Sequence, residues 1–188
     1  MESCKEQAYI AHLMKKKYFY PPFFNPQYMK KETQIRYEYF KNSSELNDIE
    51  KKLFEKAKEA REKAYAPYSN FLVGCSVLLE NGEIYSGNNQ ENAAYPSGLC
   101  AERTALFWIA ANFPEVKIKK IFVVGGPKEF HEKNPPIPPC GACRQSLMEY
   151  ETKQQENISL YFSSMNEEVV KVHAIKDLLP FYFDATFL

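Results

Sequence analysis

Two short stretches hold the side chains best suited to chemistry: Cys100-Ala101-Glu102-Arg103 and Pro139-Cys140-Gly141-Ala142-Cys143. Catalytic zinc commonly takes three protein ligands and keeps a fourth position for water, whereas structural zinc closes its tetrahedron with four. Cys100, Cys140 and Cys143 offer three thiolates, and a Cys-x-x-Cys spacing lets two of them face one metal at about 2.3 Å each. Glu102, two residues past the first ligand, can reach the open position, where a carboxylate serves as a base and not as a ligand. Two alternatives remain open on the residues alone: unmetallated thiols, or a structural zinc closed by His131 or His173. Three thiolates leave a divalent ion with a net negative charge. A nearby cation or amide donors must offset it, and Arg103 and Arg144 are the candidates.

The elements that must place these groups can be read from periodicity. From Asn47 onward Leu46, Ile49, Leu53, Ala57, Ala60 and Ala64 recur at three- and four-residue steps, which predicts an amphipathic helix. Asn47 with Glu50 caps it, and Pro67 stops it near 64–66. Residues 72–79 and 84–86 flank Asn81-Gly82 and predict a β-hairpin. The polar stretch 88–98 is a loop broken by Pro96 and Gly98. It delivers side chains to a helix over 101–111 that is apolar on nearly every side and therefore expected to be covered all round. Residues 118–124 are expected to form an inner strand, 141–150 a second short helix, 158–162 and 169–173 two further strands, and 175–179 a helical turn before Pro180. Both ligand groups then sit at the amino ends of helices, where free amides and the helix dipole favour a thiolate. The order α-β-β-α-β-α-β-β-α predicts an α/β fold with a five-stranded mixed sheet and helices on its faces.

The chain of 188 residues has the size of a single domain. Its 24 basic and 24 acidic residues cancel, which disfavours a polynucleotide or an anionic membrane as partner. No apolar run approaches the roughly 18 residues that span a bilayer, and the start lacks a secretory pattern. Five cysteines, three in a metal pattern and two isolated (Cys4 and Cys75), suit a reducing compartment, so a cytoplasmic protein is expected. Residues 1–44 differ in composition, with Lys15-Lys16-Lys17, then Tyr18 to Phe24 rich in aromatics and prolines. They read as an extension preceding a domain over 45–188.

Further stretches carry a resemblance. Tyr68-Ser69-Asn70-Phe71, Asn89-Gln90-Glu91-Asn92-Ala93-Ala94-Tyr95-Pro96, Cys100-Ala101-Glu102-Arg103-Thr104-Ala105 and Pro139-Cys140-Gly141-Ala142-Cys143-Arg144-Gln145 resemble the small zinc-dependent cytidine deaminases over about residues 48–183. The resemblance implies a three-layer fold, one Zn²⁺ per chain, Glu102 as proton shuttle, and deamination of cytidine and 2′-deoxycytidine in pyrimidine salvage. By the same resemblance Asn89 and Glu91 hold the ribose 3′-hydroxyl, Phe71 lies against the pyrimidine, and Ala101 also touches the substrate. Arg103 supports the ligand sulfurs, with Arg144 as a second such residue. Tyr95 and a tail aromatic, taken as Phe183, approach a neighbour's pocket, which implies a homo-oligomer, a tetramer by resemblance. Two alternatives are a deaminase for a cytosine-containing antibiotic nucleoside and a catalytically silent zinc module whose aromatic arm binds a partner.

Overall fold

The computed structural model describes residues 30–129 and 134–188. The chain divides into residues 1–33 and 34–188, and the fold belongs to the second unit. Most of the expected aromatic extension, together with Cys4 and His131, lies outside the described residues. Within the range assigned to that extension, Tyr37–Phe40 form a strand, β1. Among the described residues the sheet has six strands where five were expected, in the order β1-β6-β5-β4-β2-β3. The sixth escaped notice because four residues are too few to show a period, and because β1 is held by cross-strand partners far away in sequence. Glu38 pairs with Lys171 at 3.0 Å and with His173 at 2.8 Å, which also gives His173 a partner other than a metal.

Helix α1 (Asp48–Arg61) starts as its sequence predicts. The Asn47 side chain accepts from the Glu50 amide at 3.0 Å while Glu50 reaches back to the Asn47 amide, a reciprocal cap. It ends earlier than expected because the chain leaves to pair with the loop beyond: the Tyr65 amide donates to the Asn89 carbonyl at 3.0 Å, and the Glu91 amide to the Tyr65 carbonyl at 2.8 Å. Strands β2 (Phe71–Leu79) and β3 (Ile84–Asn88) form the expected hairpin, and helix α2 spans Ala101–Asn112. Strand β4 (Ile118–Pro127) lies inside the sheet, antiparallel to β2 and parallel to β5 (Ser159–Ser163). Helix α3 (Gly141–Gln154) makes the β4–β5 crossover that a parallel pair requires, and β6 (Val169–Val172) returns antiparallel to β5.

Side chains on the two faces of the sheet build two cores, giving three layers. On one face Leu53, Phe54 and Ala57 of α1 meet Phe122, Val124 and Tyr161. On the other, Ala105, Leu106 and Ile109 of α2 and Leu147 and Met148 of α3 meet Cys75, Val77, Ile121, Val123 and Leu160. The expectation that α2 is covered all round is not met within one chain. Phe107 is 43% and Trp108 49% exposed, since the sheet and α3 occupy only part of its circumference.

Close backbone approach fixes where α2 begins. A Cβ on Gly87 of β3 would lie 2.6 Å from the Ala105 amide nitrogen and 2.8 Å from the Ala101 carbonyl oxygen, so the first turn of α2 rests directly on the strand. Gly87→Ala must push the helix away. We expect a loss of about 1–3 kcal/mol in urea unfolding; an unchanged midpoint would contradict this packing.

Candidate metal centre and adjoining cavity

Cys100 and Cys140 occupy the same local position, the residue before the first turn of α2 and of α3, both with extended backbone and neither capping its helix. Both residues thus stand at helix starts, where free amides and the helix dipole favour negative charge. Cys143, one turn into α3, is buried. The ligand atoms of the three cysteines lie within 4.8 Å of one another, and Cys100 Sγ is 3.8 Å from Cys140 Sγ. Two sulfurs bound tetrahedrally at about 2.3 Å stand about 3.8 Å apart, so the donor set fits zinc in both chemistry and spacing. The chain descends to Cys140 along residues 134–139, which are tied to the end of β5. The Ser164 hydroxyl donates to the Asn134 carbonyl at 2.6 Å, and the Ile137 amide to the Ser163 carbonyl at 3.4 Å.

The charges around the cluster favour thiolate. Arg103 Nη2 donates to Cys100 Sγ at 3.5 Å. The Cys100 thiol is lowered to about 5, chiefly by its hydrogen bond to Cys143 and further by Arg103, while Cys143 is pushed up because the pair shares one negative charge. A divalent ion that displaces the shared proton would remove this conflict. Glu102, only 4% exposed, lies in the first turn of α2. Burial raises its pKa, and the Cys100 charge adds to the shift, so this carboxyl takes up a proton more readily than a surface acid. Cys75, fully buried beneath the site, stays a thiol, raised by burial and then by the Glu102 charge.

Beside the sulfurs lies a cavity of about 450 Å³ lined by Tyr68, Ser69, Asn89, Glu91, Tyr95, Cys100 and Arg103 among others. Asn89 and Glu91 therefore line the same cavity as Cys100. The Asn89 side chain accepts from the Val73 amide at 2.8 Å and donates to the Phe71 carbonyl at 2.9 Å. Glu91 accepts from the Tyr68 amide at 2.9 Å and from the Ser69 hydroxyl. Phe71 is half-buried, its ring 3.5 Å from where a Gly125 Cβ would stand, and Ala101 is fully buried at the start of α2. Tyr95 is 73% exposed and packs on Tyr68 with ring centroids 5.9 Å apart.

Two expected site residues lie away from the sulfurs. Arg144 donates to the Pro139 carbonyl at 2.9 Å and the Leu178 carbonyl at 3.2 Å, so it grips the turn before Cys140 and no sulfur. Phe183 stacks on Phe187 with centroids 5.5 Å apart, 57% exposed, and is outside its own chain's cavity. Its carbonyl accepts from Gln145 at 2.7 Å. Ser69 and Glu151 carry positions that the sequence did not assign. Glu151 of α3 accepts from the Ile158, Ile175 and Lys176 amides at 2.8, 2.7 and 3.2 Å, anchoring the chain that runs into the tail. Nothing in its neighbours marks it, whereas Ser69 stood within a recognised motif.

Three clustered cysteine sulfurs beside a buried acid, at the edge of a cavity on a three-layer α/β sheet, form a donor set that suits zinc. The family described as "Cytidine and deoxycytidylate deaminase zinc-binding region" matches residues 47–156, and the chain belongs to it. The cytidine deaminase of Sporosarcina psychrophila is 38% identical over 133 residues, 71% of this chain and 89% of that protein. That of Halalkalibacterium halodurans is likewise 38% identical over 133 residues, 92% of its length. Among solved structures, the cytidine deaminase of Burkholderia pseudomallei matches with a TM-score of 0.60 at 42% identity, covering 70% of this chain and 97% of the other. That of Mycobacterium tuberculosis matches at 0.54 and 28% identity, covering 71% and 95%.

The ligand set is open to direct measurement. Cys140→Ala and Cys143→Ala should each reduce zinc per chain, measured by elemental analysis after gel filtration, while Cys75→Ala keeps it. Equal loss on changing Cys75 would mean the set is misassigned.

Proposed function

We propose that the protein hydrolyses the 4-amino group of cytidine and 2′-deoxycytidine, giving uridine or 2′-deoxyuridine and ammonia. The observation that carries this reading is the convergence of three thiol sulfurs beside Glu102 in a chain of this family. Zinc, when bound by Cys100, Cys140 and Cys143, supplies a Lewis acid that makes water acidic near neutral pH. Glu102 takes the proton of the attacking water as its oxygen adds to C4, hands it to ring N3, and carries a further proton to the departing amine. Its burial suits this traffic, because a raised pKa brings the carboxyl closer to the pH at which it works. Arg103 steadies the anionic sulfurs through its bond to Cys100.

The sugar is read onto the wall opposite. Glu91 accepts a hydrogen bond from the 3′-hydroxyl and the free amide hydrogen of Asn89 donates one to it. The Phe71 ring stacks on the pyrimidine and Ala101 contacts the base. Tyr95, which lines the cavity of its own chain, and Phe183, which does not, are both assigned to the boundary with a neighbour's pocket in a homo-oligomer of four chains, a reading supported by their exposure and by that of Phe107, Trp108 and Phe181. The reading of one zinc per chain is supported by one cluster of candidate ligands among the described residues. Exposed and half-buried thiols at the centre suit a reducing, cytoplasmic setting and a role in pyrimidine salvage. Among the described residues no helix is long and apolar enough to cross a membrane.

A spectrophotometric assay with cytidine, coupled to ammonia determination, tests the reaction. We expect equal amounts of uridine and ammonia, and no turnover of zinc-loaded protein would refute the assignment. Glu102→Gln should keep its zinc and its fold while losing about 10²- to 10⁴-fold or more in kcat, since the amide keeps the shape and removes the proton carrier. Near-normal turnover by that variant would overturn the role of Glu102. Truncation after Pro180 should lower both activity and sedimentation coefficient yet spare zinc. A monomer of normal activity would contradict the shared pocket.

A further inference from the structure

A serine hydroxyl has one hydrogen to give, so what its oxygen accepts decides where that hydrogen goes. The Phe71 amide donates to Ser69 Oγ at 3.0 Å, and the Ser69 hydroxyl donates in turn to Glu91 Oε1. The Tyr68 and Ser69 amides donate to the other oxygen, Oε2, at 2.9 and 3.3 Å. One turn thus gives Glu91 three donors, and the same hydroxyl links that carboxylate to the backbone that carries the Phe71 ring. The carboxyl is held below the usual range, first by Ser69 and then by the Tyr68 amide, so toward the cavity it can only accept. Across from it, Asn89 Oδ1 is engaged by Val73 and one amide hydrogen by the Phe71 carbonyl. Only the second hydrogen remains to donate. The cavity wall presents one fixed acceptor beside one fixed donor.

We propose that Ser69 is a positioning residue for sugar selection: its hydroxyl orients Glu91 so that the wall accepts a ligand group that both donates and accepts at the 3′ carbon. A hydroxyl satisfies both partners. Hydrogen or an ether oxygen at that carbon leaves the cavity-facing side of the carboxylate without the donor that a hydroxyl would supply, an unmade bond that costs more than a made one gains. The inference rests on the reading of Asn89 and Glu91 as sugar contacts.

The test compares kcat/KM for cytidine and 3′-deoxycytidine in the zinc-loaded full chain, in Ser69→Ala and in Ser69→Thr. The ratio of the two substrates is independent of the fraction of active protein, so partial misfolding does not disturb it. We expect the wild-type preference for cytidine to fall about tenfold in Ser69→Ala, mostly through KM, the size of one charge-assisted hydrogen bond lost from a shared arrangement. Ser69→Thr, which keeps the hydroxyl, should hold the ratio within about twofold. If Ser69→Ala lowers both substrates equally and leaves the ratio unchanged, Ser69 is merely structural and the inference falls while the sugar reading stands. If the wild type itself does not distinguish the two nucleosides, the sugar reading falls and takes this inference with it.

Discussion

Three like charges must meet at one point, and most of what positions the site answers that requirement. Thiolates within 4.8 Å of one another repel, and the Cys100 and Cys143 thiols are shifted in opposite directions, the first down and the second up. Two helix starts and the Arg103 guanidinium reduce it further. A divalent cation would offset the rest, and its binding would then hold α2 and α3 together at their amino ends.

This constraint explains why the fold is tight where it is. Gly87 lets the first turn of α2 rest on β3, which sets the height of Cys100 and Glu102 above the sheet. The Ser163-Ser164 pair and Arg144 fix residues 134–139, which bring Cys140 to its partner. The polar loop after β3 returns to the α1–β2 connection through Tyr65 and Asn89, so the wall that carries Glu91 and the wall that carries Cys100 belong to one continuous stretch. The Glu91 and Cys100 sides of the cavity are therefore placed by the same backbone.

Much of this was legible in the sequence, because the groups concerned are local. The cap of α1 by Asn47 and Glu50, the Asn81-Gly82 hairpin, and cysteines at helix starts all follow from residues within a few positions of one another. What the sequence concealed depends on distant partners. Strand β1 exists through Lys171 and His173, Glu151 matters because three remote amides converge on it, and Arg144 lies on carbonyls and not on sulfur. The outward faces of Phe107 and Trp108 follow from geometry too, since an apolar helix shows its burden in composition but not which side a single chain leaves uncovered.

The coordination of the metal tests the central claim most directly. X-ray absorption at the zinc edge of the loaded protein should give three sulfur neighbours at about 2.3 Å and one oxygen at about 2.0–2.2 Å, the signature of a centre that keeps a place for water. A shell of four sulfurs, or three sulfurs closed by an imidazole nitrogen, would contradict it and make the zinc structural.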